Sequence, residues 1–589
     1  MAKDIVENGF LAVDASLTGR VWRGPSPDLE RRAEALAQDA NLPDALARIL
    51  AARAIRGEDV ATFLAPSLKA LLPNPRTLRD MEPAAARLNA AIQARDRIAI
   101  FADYDVDGGA SAAILQSWLK ELGLSATIYV PDRIDEGYGP NPPAMSELAQ
   151  SHDLIICVDC GTLSHDALAA ARGADVLVLD HHLGGETLPP ALAIVNPNRQ
   201  DETGDLAHLC AAAVVFLFLV EVVRQRRAAG QTSPDLMALL DLVALATVAD
   251  VAPLVGVNRA FVRQGLKVMA RRDRIGLTAL ADVAGLNAAP TAYHLGYVLG
   301  PRINAGGRIG QADLGARLLT CDSPNEAKAM AERLDHLNRE RREIEARITE
   351  EAMAQAEARG PEGPLVWAAG DGWHPGVVGI VASRLKEAFN RPAIVIGMAD
   401  GQGKGSGRSV TGVDLGASIQ RLAQEDLLLK GGGHKMAAGL TVSADRLEPA
   451  MERLSDLLAR QGAARMGSRS LHIDAMLMPG AATVDLIAQL EQAGPFGASA
   501  PAPRFAFPDV QILGAKQVGD GHLKLTIGDG LGARLPAIAF RACETPLGAA
   551  LEQHGGRRFH VAGRLELNHW GGRQSPQLRL EDAAPANPI

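Results

Sequence analysis

The chain has 589 residues, 47% hydrophobic and 22% charged, with 60 basic against 69 acidic side chains and a formal net charge of −9. That length exceeds a single hydrophobic core and predicts three or four soluble domains. The acidic balance excludes a protein that coats nucleic acid nonspecifically, yet leaves room for a local basic groove. Aromatic residues make up only 4%, and the five cysteines are odd in number and scattered. Few side chains can therefore stack on bases, and a reducing compartment, the cytoplasm, is expected.

The first residues, MAKDIVENGFLAVDAS, carry early acids and no long apolar core, so a signal peptide is not expected. Residues 1–85 read as an N-terminal helical extension, with Ala- and Arg-rich patches followed by prolines between Pro66 and Pro83. From Arg97, strands alternate with helices: RIAIFA, a helix to 122, SATIYV, a helix after Asn141, DLIICVD, a helix near 165–172, and DVLVLD. Such alternation predicts a parallel sheet.

Three of those strands end in metal-ligand types. The first runs into Asp103, Asp105 and Asp107 on a strand-to-helix turn, where the carboxylates repel one another unless a cation sits among them. The others deliver Asp159, and then Asp180, His181 and His182. Parallel sheets gather ligands beyond the carboxyl ends of their strands, so the three ends can converge. Oxygen and imidazole donors together suit Mn²⁺ or Mg²⁺ better than a closed structural zinc site. Cys157 and Cys160 straddle Asp159, and the absence of a second such pair argues against zinc or redox use.

The segment PDRIDEGYGPNPP is too polar for a core. It is either a surface loop or a lining of the site, with Arg133 and Tyr138 as phosphate or sugar contacts. LCAAAVVFLFLV is too short to span a bilayer and reads as a buried helix, so no membrane association is expected. GPRINAGGRIG, 300–310, places Arg302, Asn304 and Arg308 among four glycines that would let backbone approach a phosphate; an Arg-containing turn between domains is the other reading. Ser323-Pro324-Asn325-Glu326 opens a helix that can run to Arg359, on the order of 50 Å, with a narrow apolar stripe suited to strapping two domains together.

A second α/β pattern follows: PLVWAAG, GVVGIVASRLKEAF, PAIVIGM. GQGKGSGRS, 401–409, looks like a phosphate loop but meets neither nucleotide-loop pattern, so triphosphate use is unsupported. Beyond Leu471, short alternating segments with glycine turns predict an all-β barrel of OB type. Residues 551–580 hold five Arg against two Glu, which fits a face for single strands.

DYDVDG, VDCG, DHH and ATVADVAPL resemble, in order and spacing, the four motifs of the DHH phosphoesterases. Most of the chain is similar to the RecJ family of single-strand-specific exonucleases. The resemblance implies a DHH-type catalytic α/β domain over 86–320, a connecting helix over 321–360, a DHH-associated substrate-binding domain over 361–470 and an OB-like domain over 471–589. It adds Asp250 as a ligand, turns Tyr138 toward the site, and makes Ser406, Arg408, Gly433 and His434 substrate contacts alongside Arg302, Asn304 and Arg308. GPFGASAPAPRF departs from the Asn-containing form expected of the family at that bend.

The resulting expectation is a two-ion phosphodiesterase. Asp159, central among the ligand sources, bridges the ions, and Asp105, Asp107, His181 and Asp250 complete the shells. Asp103 is a ligand or orients one, and His182 contacts the phosphoryl group or leaving oxygen. The family resemblance implies single-stranded DNA as substrate, degraded 5′ to 3′ to 5′-mononucleotides, roles in DNA repair and recombination, and a single-strand-binding protein and a helicase as partners. The chain itself is read as a monomer. Two alternatives share the fold: a DHH enzyme for short oligonucleotides or cyclic dinucleotides, which needs no terminal barrel, and a non-catalytic replication scaffold, which should have lost ligands.

Overall fold

The computed structural model describes residues 9–133, 135–463, 469–570 and 573–586. The chain divides into two compact units, Leu72–Met466, and Met1–Leu71 together with Gly467–Ile589. The larger unit begins with a sheet of five strands: β1 (Ile98–Ala102), β2 (Ala126–Tyr129), β3 (Leu154–Val158), β4 (Asp175–Leu179) and β5 (Ala193–Val195). They pair in the order β2-β1-β3-β4-β5, all parallel. Every residue of β1 and β3 is buried, which is why both read as unbroken apolar runs rather than alternating ones. The chain leaves β1 toward β2 on one side and returns to β3 on the other, so a switch point opens between the ends of β1 and β3.

Helices α1 (Val106–Glu121), α2 (Ala211–Ala228) and α3 (Leu240–Ala249) belong to this domain, and α2 contains the apolar run as a buried helix. No helix among the described residues is long and apolar enough to cross a membrane. The segment 300–310 corrects its sequence reading: it forms helix α4 (Gly300–Ile309). Its glycines admit neighbouring protein rather than a ligand, since a Cβ on Gly307 would stand 2.7 Å from the carbonyl oxygen of Tyr104 and one on Gly306 would stand 3.3 Å from Leu334.

The strap forms as its sequence dictates. Helix α5 (Pro324–Arg359) starts where Ser323 accepts from the Glu326 amide and stops at Gly360, whose φ is +83°. Leu334 and Leu337 lie against α4, whereas Ile348, Ala352 and Ala356 enter the core of a second sheet. That sheet contains β6 (Val366–Asp371), β7 (Ala393–Ala399), β8 (Gln402–Arg408), β9 (Lys430–His434) and β10 (Ala437–Ser443), with helix α6 (Pro375–Phe389) between β6 and β7. The order is β9-β10-β8-β7-β6, and only β6 and β7 run parallel. The run 401–409 that looks like a phosphate loop is therefore the strand β8.

In the other unit, strands Phe505–Val518, His522–Gly528, Arg534–Ala539, Arg573–Pro585 and Arg558–Trp570 pair in that order, and the last returns to the first, closing a five-stranded barrel of OB type. The N-terminal segment is helical as read but does not stand apart. Leu36, Leu46, Ile49, Leu50 and Val60 share one core with barrel residues such as Phe505 and Phe559. Val21–Arg23 also pairs as a strand with Ser470–His472. Part of the stretch judged for a signal peptide, residues 1–8, lies outside the described residues.

Trp22 is fully buried and donates its indole N–H to Asp582, itself buried, at 2.9 Å. Asp582→Ala would leave that donor without a partner, so it should cost about 1–3 kcal/mol, more than Trp22→Phe, which keeps the Asp582–Arg20 contact. Urea unfolding of both variants checks the order.

Candidate metal centre and substrate face

Local geometry turns each strand end toward the switch point. After β1, Asp103 is buried, and its Oδ1 has no hydrogen-bond partner. Asp105 caps α1, its Oδ1 accepting from the amides of Asp107 and Gly108 at 2.8 and 3.1 Å. Only glycine fits at 108, because a Cβ there would stand 2.4 Å from the Asp103 carbonyl oxygen. Asp107 turns to the N-terminus of α2, accepting from Ala211 and Ala212 at 2.7 and 2.8 Å, where the helix dipole favours negative charge.

At the end of β3, Asp159 has φ +61°, a left-handed conformation that Asp tolerates better than most residues, and its buried Oδ1 also has no hydrogen-bond partner. His181 Nε2 lies 3.2 Å from that oxygen and 3.7 Å from Asp107 Oδ2, and Asp250, the cap of α3, stands 3.9 Å from His181 Nδ1. Three overlapping sets each place their ligand atoms within 4.8 Å of one another: Asp103, Asp105 and Asp159; Asp107, His181 and Asp250; Asp159, His181 and His182. The structure thus brings together every residue expected to hold metal.

These carboxyls are poorly suited to one another without a cation. Burial, followed by the charges of Asp107 and Asp105, pushes Asp250 up to about 8. Burial and neighbouring carboxylates hold Asp103 and Asp159 well above the usual range, and burial raises Asp107. Two unpartnered buried carboxylate oxygens and a mixed oxygen and imidazole set fit divalent ions of the Mn²⁺ or Mg²⁺ kind.

Asp180 is not among the ligand sets. Its Oδ2 accepts from the Thr162 amide and hydroxyl at 3.1 and 2.7 Å. Its Oδ1 accepts from the amides of His181 and His182 and meets His182 Nδ1 at 2.8 Å. Burial lowers the His182 pKa, but the Asp180 hydrogen bond and charge outweigh it and bring the imidazole to about 9. Beyond β5, Asn196 donates to the Thr162 hydroxyl and the His182 carbonyl, each at 2.8 Å, and Asn198 donates to the His181 carbonyl at 2.6 Å. These supports were not identified from sequence; only the first Asp of DHH hinted at them.

Tyr138 reaches the site, its hydroxyl 3.1 Å from the Asp159 carbonyl oxygen and 3.2 Å from the His182 ring. The three residues expected from α4 have different tasks. Arg302 is drawn away to Asp335, at 2.9 Å, and to the Val298 carbonyl. Asn304 accepts from the Val106 amide at 3.0 Å, which fixes the metal-bearing turn. Arg308 donates to the Gly376 carbonyl, and burial, aided by nearby Arg133 and Arg341, lowers it to about 10.

Arg133 lies over the Tyr104 ring at 5.2 Å and also lines a cavity of about 490 Å³ with Ser406, Lys404, Lys430 and Gly432. Arg408 donates to Ser406 Oγ at 3.0 Å, and its pKa is lowered by burial and then by Arg133. Lys404 and Lys430 were not singled out from sequence; they come together because each is in register with Thr441. Gly433, with φ +147°, would place a Cβ 2.5 Å from the Ala437 carbonyl oxygen, so the turn between β9 and β10 requires glycine there, and His434 is exposed at the end of β9. A larger cavity of about 670 Å³, lined by Asp241 and Arg274 among others, contains none of these residues.

Comparison with known proteins agrees with this arrangement. The N-terminal domain of the DHH family matches residues 97–247, the DHHA1 domain residues 362–460 and the RecJ OB domain residues 473–582. The single-stranded-DNA-specific exonuclease RecJ of Escherichia coli (strain K12) is 36% identical over 568 residues, covering 93% of this chain and 96% of that protein. The chain belongs to the RecJ family. The Bacillus subtilis (strain 168) protein of the same name is 33% identical, covering 96% of this chain and 70% of that one. RecJ from Thermus thermophilus in complex with Mn²⁺ superposes with a TM-score of 0.78 at 30% identity, covering 95% of this chain and 79% of that one.

The raised carboxyl pKa values have a measurable consequence. A carboxyl whose folded pKa exceeds its unfolded value of about 4 adds stability below that value, and the stability is lost as pH rises through the folded pKa, about 8 for Asp250. Metal-free protein should therefore melt at a lower temperature at pH 9 than at pH 6, and Mn²⁺ should shrink the difference. Asn also tolerates the left-handed φ, so Asp159→Asn should raise the metal-free melting temperature while reducing the gain on adding Mn²⁺. Scanning fluorimetry with and without chelator reads both.

Proposed function

We propose that this chain is a metal-dependent exonuclease of single-stranded DNA, removing 5′-mononucleotides in the 5′ to 3′ direction. The observation that carries the reading is the convergence of three strand-end ligand sets at the switch point, with two buried carboxylate oxygens left for cations. The E. coli and B. subtilis relatives bear the name of that activity. Direction and product follow the family resemblance.

In this reading, divalent ions when bound lower the pKa of a coordinated water and neutralise the scissile phosphate. Asp159 would be shared between the two ion positions, with Asp103 and Asp105 holding one and Asp107, His181 and Asp250 holding the other. Asp180 engages Nδ1 of His182, and the Tyr138 hydroxyl lies 3.2 Å from Nε2, so the imidazole and the phenol together would meet a phosphoryl or leaving-group oxygen. Tyr138 holds the His182 ring in place. Arg133, Ser406, Arg408, Lys404 and Lys430 bind backbone phosphates in the adjoining cavity, and His434 contacts the strand at its rim. Arg302, Asn304 and Gly433 support the site without touching substrate, and Arg308 braces the region where α4 meets α6. The barrel gives the strand a further hold. The same reading places the protein in the cytoplasm, in DNA repair and recombination.

A duplex is stiff over about 150 base pairs and cannot bend into the cavity without separating, so selectivity for single strands is steric. Degradation should begin on a duplex with a 5′ single-stranded tail and stop near the junction, while a blunt duplex and a 3′-tailed one persist. Rapid attack on the blunt duplex contradicts the assignment. Asp159→Asn should reduce turnover to below a few per cent of wild type at saturating Mn²⁺; higher residual turnover removes Asp159 from the bridging role.

A further inference from the structure

Aromatic side chains are scarce, and the chain has only five tyrosines. Two of them, Tyr293 and Tyr297, are 53% and 68% exposed and stack on one another, with ring centroids 5.1 Å apart and planes 26° from parallel. An exposed pair of stacked rings presents flat aromatic faces on which a planar partner can stack. The backbone beneath it is unusual as well: Leu295–Leu299 form a π-helical turn, a form that recurs at functional sites. Residues four apart on a helix are neighbours, so the two rings meet on one face of the segment.

The position of the pair is set by glycines on the buried side of the same segment. A Cβ on Gly296 would stand 3.3 Å from Val248, and one on Gly300 would stand 3.3 Å from Ala249 and 3.9 Å from Val106. Ala249 precedes Asp250, and Val106 lies between Asp105 and Asp107. The tyrosines are thus on the order of two helical turns, about 10 Å, from backbone that carries metal ligands. Beside the ligand Asp250, Val251 adopts a left-handed conformation (φ +59°) that a β-branched residue rarely adopts, and it is 69% exposed.

We infer that Tyr293 and Tyr297 form a stacking platform for nucleobases of the single strand close to the metal centre. The inference rests on the function proposed above and identifies a binding site for it. An enzyme that advances along a strand one nucleotide at a time must hold bases without reading them. Ring faces do this, because every base has a π-face. Phosphate contacts weaken with salt, whereas stacking does not depend on released counterions.

The test uses the full-length protein and a single strand of about 20 nucleotides, intact or with an abasic tract near its 5′ end. Tyr293→Ala/Tyr297→Ala should raise KM for the intact strand about tenfold, at low and high salt alike, with little change in kcat. Tyr293→Phe/Tyr297→Phe should keep the wild-type KM. The abasic strand should raise the wild-type KM by a similar factor and leave that of the alanine variant unmoved. An unchanged KM in the alanine variant, an equal loss in the phenylalanine variant, or an effect that vanishes at high salt overturns the platform. If the alanine variant melts early, the abasic comparison on wild type decides. If wild type degrades no strand, the proposed function fails, and the platform is then judged by quenching of a 2-aminopurine base in the bound strand.

Discussion

The repulsion among buried carboxylates at one end of a parallel sheet governs the design of this protein. Asp103, Asp107 and Asp159 are almost fully buried, and Asp250 faces them. The fold offsets part of the repulsion with backbone amides, giving Asp105 the first turn of α1 and Asp107 the first turn of α2. Both are helix N-termini, where partial positive charge is already present. The remainder, concentrated on one oxygen each of Asp103 and Asp159, is left for cations. Compensation is therefore divided, and the part the protein does not supply is its affinity for metal.

Support is graded outward from that centre. The fourth strand provides the two histidines, and the residues beyond the fifth hold them through carbonyl and hydroxyl hydrogen bonds rather than through ligands of their own. Helix α4 acts likewise, with Asn304 tying down the turn that carries the acids. The long helix links this region to the second sheet, where Arg133 and the lysines of β8 and β9 line one cavity. Arg133 links that cavity to the metal centre, since it lines the cavity and its charge also acts on Asp103.

The parallel sheet, its ligand-bearing ends and the long helix were legible because each leaves a local mark: an apolar run that stops at an acid, or a Ser-Pro start followed by a Gly-Pro stop. Helix α4 was not, because four glycines in eleven residues look like a loop when the neighbours pressing on Gly306 and Gly307 are invisible. The strand β8 misled in the same way. Arg302 suits a phosphate by type, and the structure pairs it with Asp335, 33 residues on along the chain, a partner no local pattern signals. Asp250 needed the family resemblance, since an Asp at a helix end has no signature of its own. The sharing of one core by the N-terminal helices and the barrel was beyond reach, as no local pattern records a pairing between distant segments.

That shared core also dictates an order of assembly during synthesis. Trp22 leaves the ribosome early, and its hydrogen-bond partner Asp582 follows 560 residues later. At about 5–20 residues per second, the wait is roughly half a minute to two minutes. The 72–466 unit is contiguous and can close while it is still being made, but the N-terminal segment that holds Leu46, Leu50 and Trp22 cannot complete its core until the barrel strands emerge. Part of that apolar surface therefore stays uncovered until the barrel is made. A holding chaperone should bind it, and release should coincide with the emergence of the barrel strands rather than with the folding of the sheet that bears the metal ligands.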